Sequence, residues 1–246
     1  MDLKVYCPEK LKSAEDAVAM IKRGSRVFIG TGCGEPQLLI KSMVANPKLQ
    51  DIMIYQMLSM TLAQFVEDPS FLRRFSLKLF FISSHMRKAA FEGKIDYLPT
   101  YLSQIPKLIS SHRIGLDVAL VQVSPPDEFG YCSPGVSVDI TRSGIENARM
   151  VIAQVNPKKP KTWGASCVHL DDLDVIVWHE EPLVEALPSV KDEKIAALIA
   201  IFVSQLIDDG STLQIGLGHL PYAILTYLDD KKDLGIHSQL ITDGFL

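Results

Sequence analysis

The stretch GSRVFIGTG, Gly24–Gly32, sets a short β-prone run between glycines, and its surroundings decide the fold. Upstream lies SAEDAVAMIKRG, in which Ser13 is a natural N-cap, acids occupy the first turn, and basic residues precede Gly24 as a C-terminal stop. Downstream, GTGCGEP leads into QLLIKSMVAN, which has the length and apolar spacing of a helix. The order is helix, strand, glycine loop, helix.

The same order returns near the other end of the chain. GSTLQIGLG, Gly210–Gly218, aligns with Gly24–Gly32 without a gap, matching at both ends and at the central Ile-Gly. It is preceded by KDEKIAALIAIFVSQLIDDG, read as a long helix from Lys191 to Gly210, and followed by GHLP and the helix YAILTYLDD. Each copy continues into a second strand, DIMIYQML in the first and GIHSQLI in the second. Two copies of one unit are therefore expected, with domains at residues 1–188 and 189–246. The second copy stops soon after its second strand, so the sequence reads as the front portion of a longer protein.

Between the copies lie further strand candidates: LKLFFISS, LDVALVQVS, RMVIAQVN and LDVIVWHEEP. Continuous apolar runs interspersed with helices indicate an α/β class with a mostly parallel sheet covered by helices. Pro99 and Pro106 break the helical region AAFEGKIDYLPTYLSQIPKLISS.

The composition removes several functions. A chain of 246 residues, 47% hydrophobic, buries a sizeable core. Its net charge of -4 and scattered basic residues leave no footprint for nucleic acid. No apolar run reaches membrane-spanning length, and MDLKVYCPEKLKS lacks the order of a secretory signal, so no membrane partner and a cytoplasmic location are expected. Cys7, Cys33, Cys132 and Cys167 form no C-x-x-C pair, and the six histidines have no ligand spacing, so no metal is expected.

A G-x-G loop between a strand and a helix brings backbone close to a ligand, and the helix start offers N–H groups to an anion. At Gly30, Gly32 and Gly34 the pattern lacks a full dinucleotide fingerprint, because position 35 is Glu, and no G-K-[ST] follows. A tight structural turn and an anion-binding turn both remain open there. In GLGHLP, Pro221 suits a first helical turn, so the amides around Gly216 and Gly218 are candidates for an oxyanion, with His219 beside them as acid, base or phosphate contact. The loop VSPPDEFGYCSPG follows a buried strand, and its Asp127 and Glu128 are turn acids or acid–base groups.

The runs HMRKAAFEGKIDYLPTYLSQIPKLI, DVALVQVSPPDEFGYCSPG, AQVNPKKPKTWGAS, EEPLVEA, DDGSTLQIGLGHLPYAIL and KDLGIHSQLITDG together resemble the acetyl-CoA hydrolase/transferase family, which includes 4-hydroxybutyrate CoA-transferases. The resemblance implies a class I CoA-transferase architecture of two related α/β halves with acyl-CoA between them. It implies coenzyme A, as the acyl-CoA substrate, and a carboxylate acceptor as partners, and it leaves a homo-oligomer open. In such enzymes a glutamate attacks the thioester as a covalent nucleophile.

That glutamate belongs to a motif like G-I-H-S/T-E-M, which falls on GIHSQL, so Gln239 occupies its place. A neutral amide with a delocalised lone pair is a poor substitute for the carboxylate. Three expectations follow: an enzyme trapped by an isosteric change, an acyl-CoA-binding or regulatory homologue, or a hydrolase whose base is His237, His219 or Glu35. A blander alternative is an assembly scaffold. Gly216, Gly218 and His219 would shape the thioester pocket, and the Gly30–Gly34 and Ser124–Gly130 loops would face it.

Overall fold

The computed structural model describes residues 3–186 and 193–245, which fall into two compact units, Met1–Glu185 and Ala186–Leu246. The boundary expected between residues 188 and 189, and the helix start expected at Lys191, lie outside the described residues.

The first unit is built on seven parallel strands. In chain order the strands are β1 (Arg26–Ile29), β2 (Ile52–Gln56), β3 (Phe75–Leu79), β4 (Asp96–Tyr97), β5 (Leu116–Val123), β6 (Tyr131–Cys132), β7 (Ala148–Val155), β8 (Val168–His169) and β9 (Val175–Trp178). The sheet order is β4-β3-β2-β1-β5-β7-β9, while β6 and β8 form a separate antiparallel pair. Their apolar runs are continuous because both faces are covered. Along β1, Val27 and Ile29 enter one core with Val18, Leu39, Ile40 and Met43, and Phe28 enters the opposite core with Ile105, Ile109 and Ile145. Val118 and Leu120 of β5 join the first core and Ala119 and Val121 the second, as a two-residue side-chain period requires. Gly144 lets helix Thr141–Asn147 lie directly on the sheet, since a Cβ there would stand 2.5 Å from the Phe28 ring.

Strand β1 is the switch point: the chain builds outward through β2, β3 and β4 on one side and through β5, β7 and β9 on the other. Crevices outside the carboxyl ends of such strands are where open α/β sheets place ligands. The Gly30–Glu35 and Ser124–Gly135 segments both leave the sheet at that end.

The second unit contains helix Glu193–Ser204, β10 (Thr212–Leu213), helix His219–Leu225 and β11 (Gly235–Ile236), with β10 and β11 parallel. Two backbone bonds of the first unit recur in it. Gly24 N donates to Gln50 O at 3.1 Å and Met53 N to Ser25 O at 3.0 Å; Gly210 N donates to Lys232 O at 2.8 Å and Gly235 N to Ser211 O at 2.9 Å. Gly24 and Gly210 share a left-handed φ, 78° and 76°, and so do Asp51 and Asp233, 58° and 56°. Aspartate is among the few non-glycine residues that adopt this conformation readily.

Three boundaries differ from the sequence reading. Helix Ala14–Ala19 keeps its Ser13 cap, whose Oγ accepts from Asp16 N at 3.0 Å, but ends before the basic residues. The helix expected to reach Gly210 stops at Ser204, and GIHSQLI contributes only Gly235 and Ile236 as strand. Exposed Leu198, Phe202 and Leu206 show why: apolar spacing alone does not hold the last turns without a surface to pack against.

Candidate functional site

In the first unit, the glycine loop is closed on itself. Gly30 N donates to Leu120 O at 2.9 Å, Gly32 N to Leu58 O at 2.9 Å, and Gly34 N to Ser137 Oγ at 3.1 Å. Ser137 Oγ in turn donates to Thr31 O at 2.7 Å, and Thr31 Oγ1 donates to Asp139. The amides at Gly30, Gly32 and Gly34 thus already have protein acceptors. The start of the following helix, Gln37–Ala45, is occupied too: Leu38 N donates to the Glu181 carboxylate at 3.3 Å and Leu39 N to Gln154 Oε1 at 3.4 Å. A protein carboxylate therefore takes the place at this helix N-terminus that an anionic ligand would otherwise find.

Glu35 is the keystone of this arrangement. Its carboxylate accepts from Thr61 N at 2.6 Å, Met60 N at 2.7 Å and Gln56 Nε2 at 2.8 Å, while its carbonyl accepts from Gln122 Nε2 at 2.8 Å. Gln56 Nε2 also reaches Gly30 O at 2.9 Å. Burial pushes the carboxyl pKa up against the opposing pull of these hydrogen bonds. With no exposed surface, Glu35 fastens the loop after β1 to the loop after β2 and has no path to a water in solvent. Gln56, Gln122 and Gln154 sit near the carboxyl ends of β2, β5 and β7, a row of buried amides in otherwise apolar strands.

The Ser124–Gly130 loop is held by Asp127, whose Oδ1 accepts from Phe129 N and Tyr131 N, both at 2.9 Å, and whose Oδ2 accepts from Lys161 Nζ at 2.6 Å. The lysine and the two amides hold the Asp127 carboxyl below its ordinary range. Asp127 is a turn acid; Glu128 is exposed.

In the second unit, the corresponding loop is open. Gly216 and Gly218 are exposed, a Cβ at Gly216 would meet nothing within 4 Å, and Gly218 turns at φ 145° to launch helix His219–Leu225. Ser238 clips the two arms of the unit together, its Oγ donating to Ile215 O at 2.8 Å and accepting from Ile215 N at 3.3 Å. Gln239 follows that clip and is exposed, so the turn carrying it runs alongside the strand end that opens into Gly216. His237 is exposed and pairs through its backbone with Leu213, at 2.9 Å. His219 is half-buried at the helix start.

The patterning of the sequence does not single out Ser238, Ser137 or Lys159, although lone glutamines inside apolar strands are a signal for the buried amide row. Among the described residues, no three His, Cys, Asp or Glu side chains gather as a metal site, and no helix is long and apolar enough to cross a membrane.

A parallel α/β sheet followed by a second strand–glycine loop–helix unit places the chain in a fold that a solved CoA-transferase shares. Among solved structures, RipA from Yersinia pestis superposes with a TM-score of 0.87 at 29% identity over 100% of this chain and 59% of that one. The 4-hydroxybutyrate CoA-transferase from Porphyromonas gingivalis gives 0.78 at 31% identity over 99% and 57%. Residues 2–188 match the acetyl-CoA hydrolase/transferase N-terminal domain, and the chain belongs to that family. Among curated relatives, the 4-hydroxybutyrate coenzyme A transferase of Clostridium kluyveri is 40% identical over 100% of this chain and 57% of its own length. The succinyl-CoA:acetate/propanoyl-CoA:succinate CoA transferase of Fasciola hepatica is 37% identical over 96% and 50%. The chain spans about half the length of these relatives.

Proposed function

We propose that this chain is the amino-terminal portion of an acyl-CoA:carboxylate CoA-transferase acting on a short-chain acyl-CoA, such as acetyl-CoA or 4-hydroxybutyryl-CoA, with Gln239 in the place of the glutamyl nucleophile. The observation that carries the reading is the Ser238 clip, which sets exposed Gln239 beside the open Gly216–Gly218 loop. On this reading, Gly216 and Gly218 leave room for a thioester carbonyl to approach the backbone, and half-buried His219 lies at the rim. The Gly30, Gly32 and Gly34 loop contributes shape, its own amides being engaged. Coenzyme A enters as substrate, and the thioester supplies the activated acyl group. The domain division is read at residues 1–188 and 189–246.

A second reading rests on the amide itself. A glutamine cannot form an acyl anhydride at a useful rate, which favours a homologue that binds acyl-CoA without exchanging it. Exchange of labelled acetate into acetyl-CoA by the full-length protein separates the two. Exchange by Gln239→Glu alone marks an intact pocket disabled at one atom; exchange by the Gln239 form itself means that another residue is the nucleophile; exchange by neither, with acyl-CoA still bound, supports the binding homologue.

A further inference from the structure

The pair β10–β11 repeats the register of β1 with β2: Thr212 faces Gly235 and Leu213 faces Ile236, as Arg26 faces Met53 and Val27 faces Ile54. The surroundings of the two pairs differ. β1 lies inside the seven-stranded sheet, with β5 along its other side from Val27 against Val118 to Ile29 against Leu120. Among the described residues no strand lies along that side of β10. Leu213 and Ile215 turn their backbone groups to the β11 arm, where His237 N donates to Leu213 O at 2.9 Å and Ser238 Oγ bonds both Ile215 O and Ile215 N. Strand alternation therefore aims the amides and carbonyls of Thr212 and Gln214 at the bare edge. In the first unit the amide aligned with that of Thr212, on Arg26, is met from the β5 side by Asp117 Oδ2 at 2.8 Å.

The segment preceding each pair differs in the same direction. Carried back from Gly210 and Gly24 without a gap, the alignment sets Ala200 of helix Glu193–Ser204 on Ala14, and both are buried. It sets Leu198, Phe202 and Leu206 on Lys12, Asp16 and Met20, all three exposed. The outward positions are thus polar but for one methionine in the first unit. In the second they form an apolar stripe, with Phe202 65% and Leu206 82% exposed and Ile195 and Ile199 widening it. The repeated pairing does not call for these side chains, since the first unit is built without them. A bare strand edge and an apolar helix face in one small unit are features that folded proteins cover.

We infer that the bare β10 edge and the Leu198–Phe202–Leu206 stripe form the docking surface for the part of a CoA-transferase that this chain does not span. That part adds a strand parallel to β10, opposite Leu213–Ile215, in the register that β5 holds against β1. The chain spans 57% of the Clostridium kluyveri relative and 50% of the Fasciola hepatica one, so a polypeptide of comparable length is left to supply both strand and cover. A second copy of this chain does not fit. Two β10 edges related by a two-fold axis meet antiparallel, whereas the strand that flanks β1 is parallel to it. With a ladder on both sides β10 extends to Ile215, as β1 extends to Ile29; with one ladder it ends at Leu213. The inference rests on the reading of this chain as an amino-terminal portion and not on the chemistry at Gln239.

The test mixes the 246-residue chain with the separately expressed part of the Clostridium kluyveri 4-hydroxybutyrate coenzyme A transferase that it does not span. Assembly is read by light scattering after size exclusion, and the contact by amide hydrogen exchange. The expected result is a one-to-one complex in which exchange slows at Thr212, at Gln214 and along Glu193–Ser204, and is unchanged in β1 and β5. Phe202→Asp, at a side chain exposed in the chain alone, leaves its circular dichroism unchanged and weakens the complex by more than about tenfold. Met20→Asp, at the exposed position aligned with Leu206, leaves the complex as it was. No complex, a complex in which Gln214 exchanges as before, or one that Met20→Asp weakens as much as Phe202→Asp, overturns the inference. So does a chain that protects Gln214 by pairing with its own copy. Should either piece fail to fold by itself, the two are expressed together in one cell and captured by a tag on this chain, and the same exchange measurements decide. A complex that assembles as described but moves no labelled acetate supports the surface and counts against the transferase reading, so the two fail separately.

Discussion

Gly30 and Gly216 end aligned strands with matched backbone bonds and matched left-handed turns, yet the loops they open are finished in opposite ways. Around Gly30–Gly34 each loop amide named above has an acceptor within the unit, the next helix start is met by Glu181, and Glu35 is buried beneath. Around Gly216–Gly218 the glycines face solvent, and one serine clip joins the arms. The shared strand–loop–helix pattern makes the turn; what lies beside it decides whether the turn is a structural keystone or a mouth. The two loops start from one backbone shape, and the first is closed by its own side chains.

The contrast is sharpest at Glu35. Replacing it by alanine takes the acceptor from Met60 N and Thr61 N and leaves Gln56 Nε2 with Gly30 O alone. The expected cost is about 4 kcal/mol of the first unit's stability, a fall of about 10 °C in its melting midpoint by calorimetry. Glu35→Gln keeps one acceptor and separates charge from geometry. The folded-state carboxyl pKa is raised, so native Glu35 weakens the fold as pH climbs through that raised pKa, and the glutamine variant loses this slope. If Glu35→Ala melts like the native chain, the closed loop is not the keystone described above.

Lys159 runs buried through a slot that Gly34 and Gly135 leave open, and Lys159→Met acts with the opposite sign. The folded amine titrates near about 7, well below an unfolded lysine near about 10.4, so between those values the unfolded chain holds a proton that the folded chain lacks. Native stability therefore rises from about pH 7 to about 10, and below about 7 the full cost of the buried ammonium is present. Methionine fills the Gly34–Gly135 slot without charge, and a gain on the order of 3 kcal/mol at pH 7, vanishing near pH 10, is expected from denaturant melts. A gain independent of pH would show that packing, not charge, sets the cost.

These side chains also mark how far the sequence could be read. The parallel sheet was legible because its strands carry unbroken apolar runs such as Val118–Val121, and the repeat because Ile-Gly recurs between matching glycines. The aligned aspartates at positions 51 and 233 carry no sequence signal of their own, since a left-handed turn leaves little trace beyond one tolerant residue. Lys159 sits in the run Lys158-Lys159-Pro160-Lys161, where three lysines look alike; only the distant glycines at 34 and 135 bury one of them. The closure of the first loop depends on Ser137, Gln154 and Glu181, more than 100 residues from it in sequence, and no local pattern reports such contacts. The position of Gln239 was readable only through its motif, whereas its exposure beside an open loop needed the Ser238 clip.

Ser238→Ala tests that clip. Losing the hydroxyl removes one donated and one accepted bond to Ile215 in a half-buried setting, and about 1 kcal/mol of local stability is expected to go. Hydrogen exchange should report it as faster exchange at Ile215 and at Leu240, whose amide also leans on Ser238 Oγ at 3.4 Å, while the β1 and β5 amides stay protected. Acceleration spread evenly over both units would mean that the clip is part of a global unfolding unit.

Gly216→Ala should be the quietest change in stability and the most informative about the open loop. Its backbone does not lie in the left-handed region, and a Cβ there meets open space, so strain and overpacking are both absent. At the aligned Gly30 a Cβ would stand 3.4 Å from Gly34 O, a tighter fit than at Gly216. Stability at Gly216 is expected to hold within about 0.5 kcal/mol. If the backbone at this mouth receives a thioester carbonyl, the same methyl group sits where the ligand must approach, and heat protection by acyl-CoA should fall in the variant although the fold does not. A stable Gly216→Ala protein that keeps its full protection places the acyl group elsewhere and removes the one structural reason for setting the pocket at the second glycine loop and not the first.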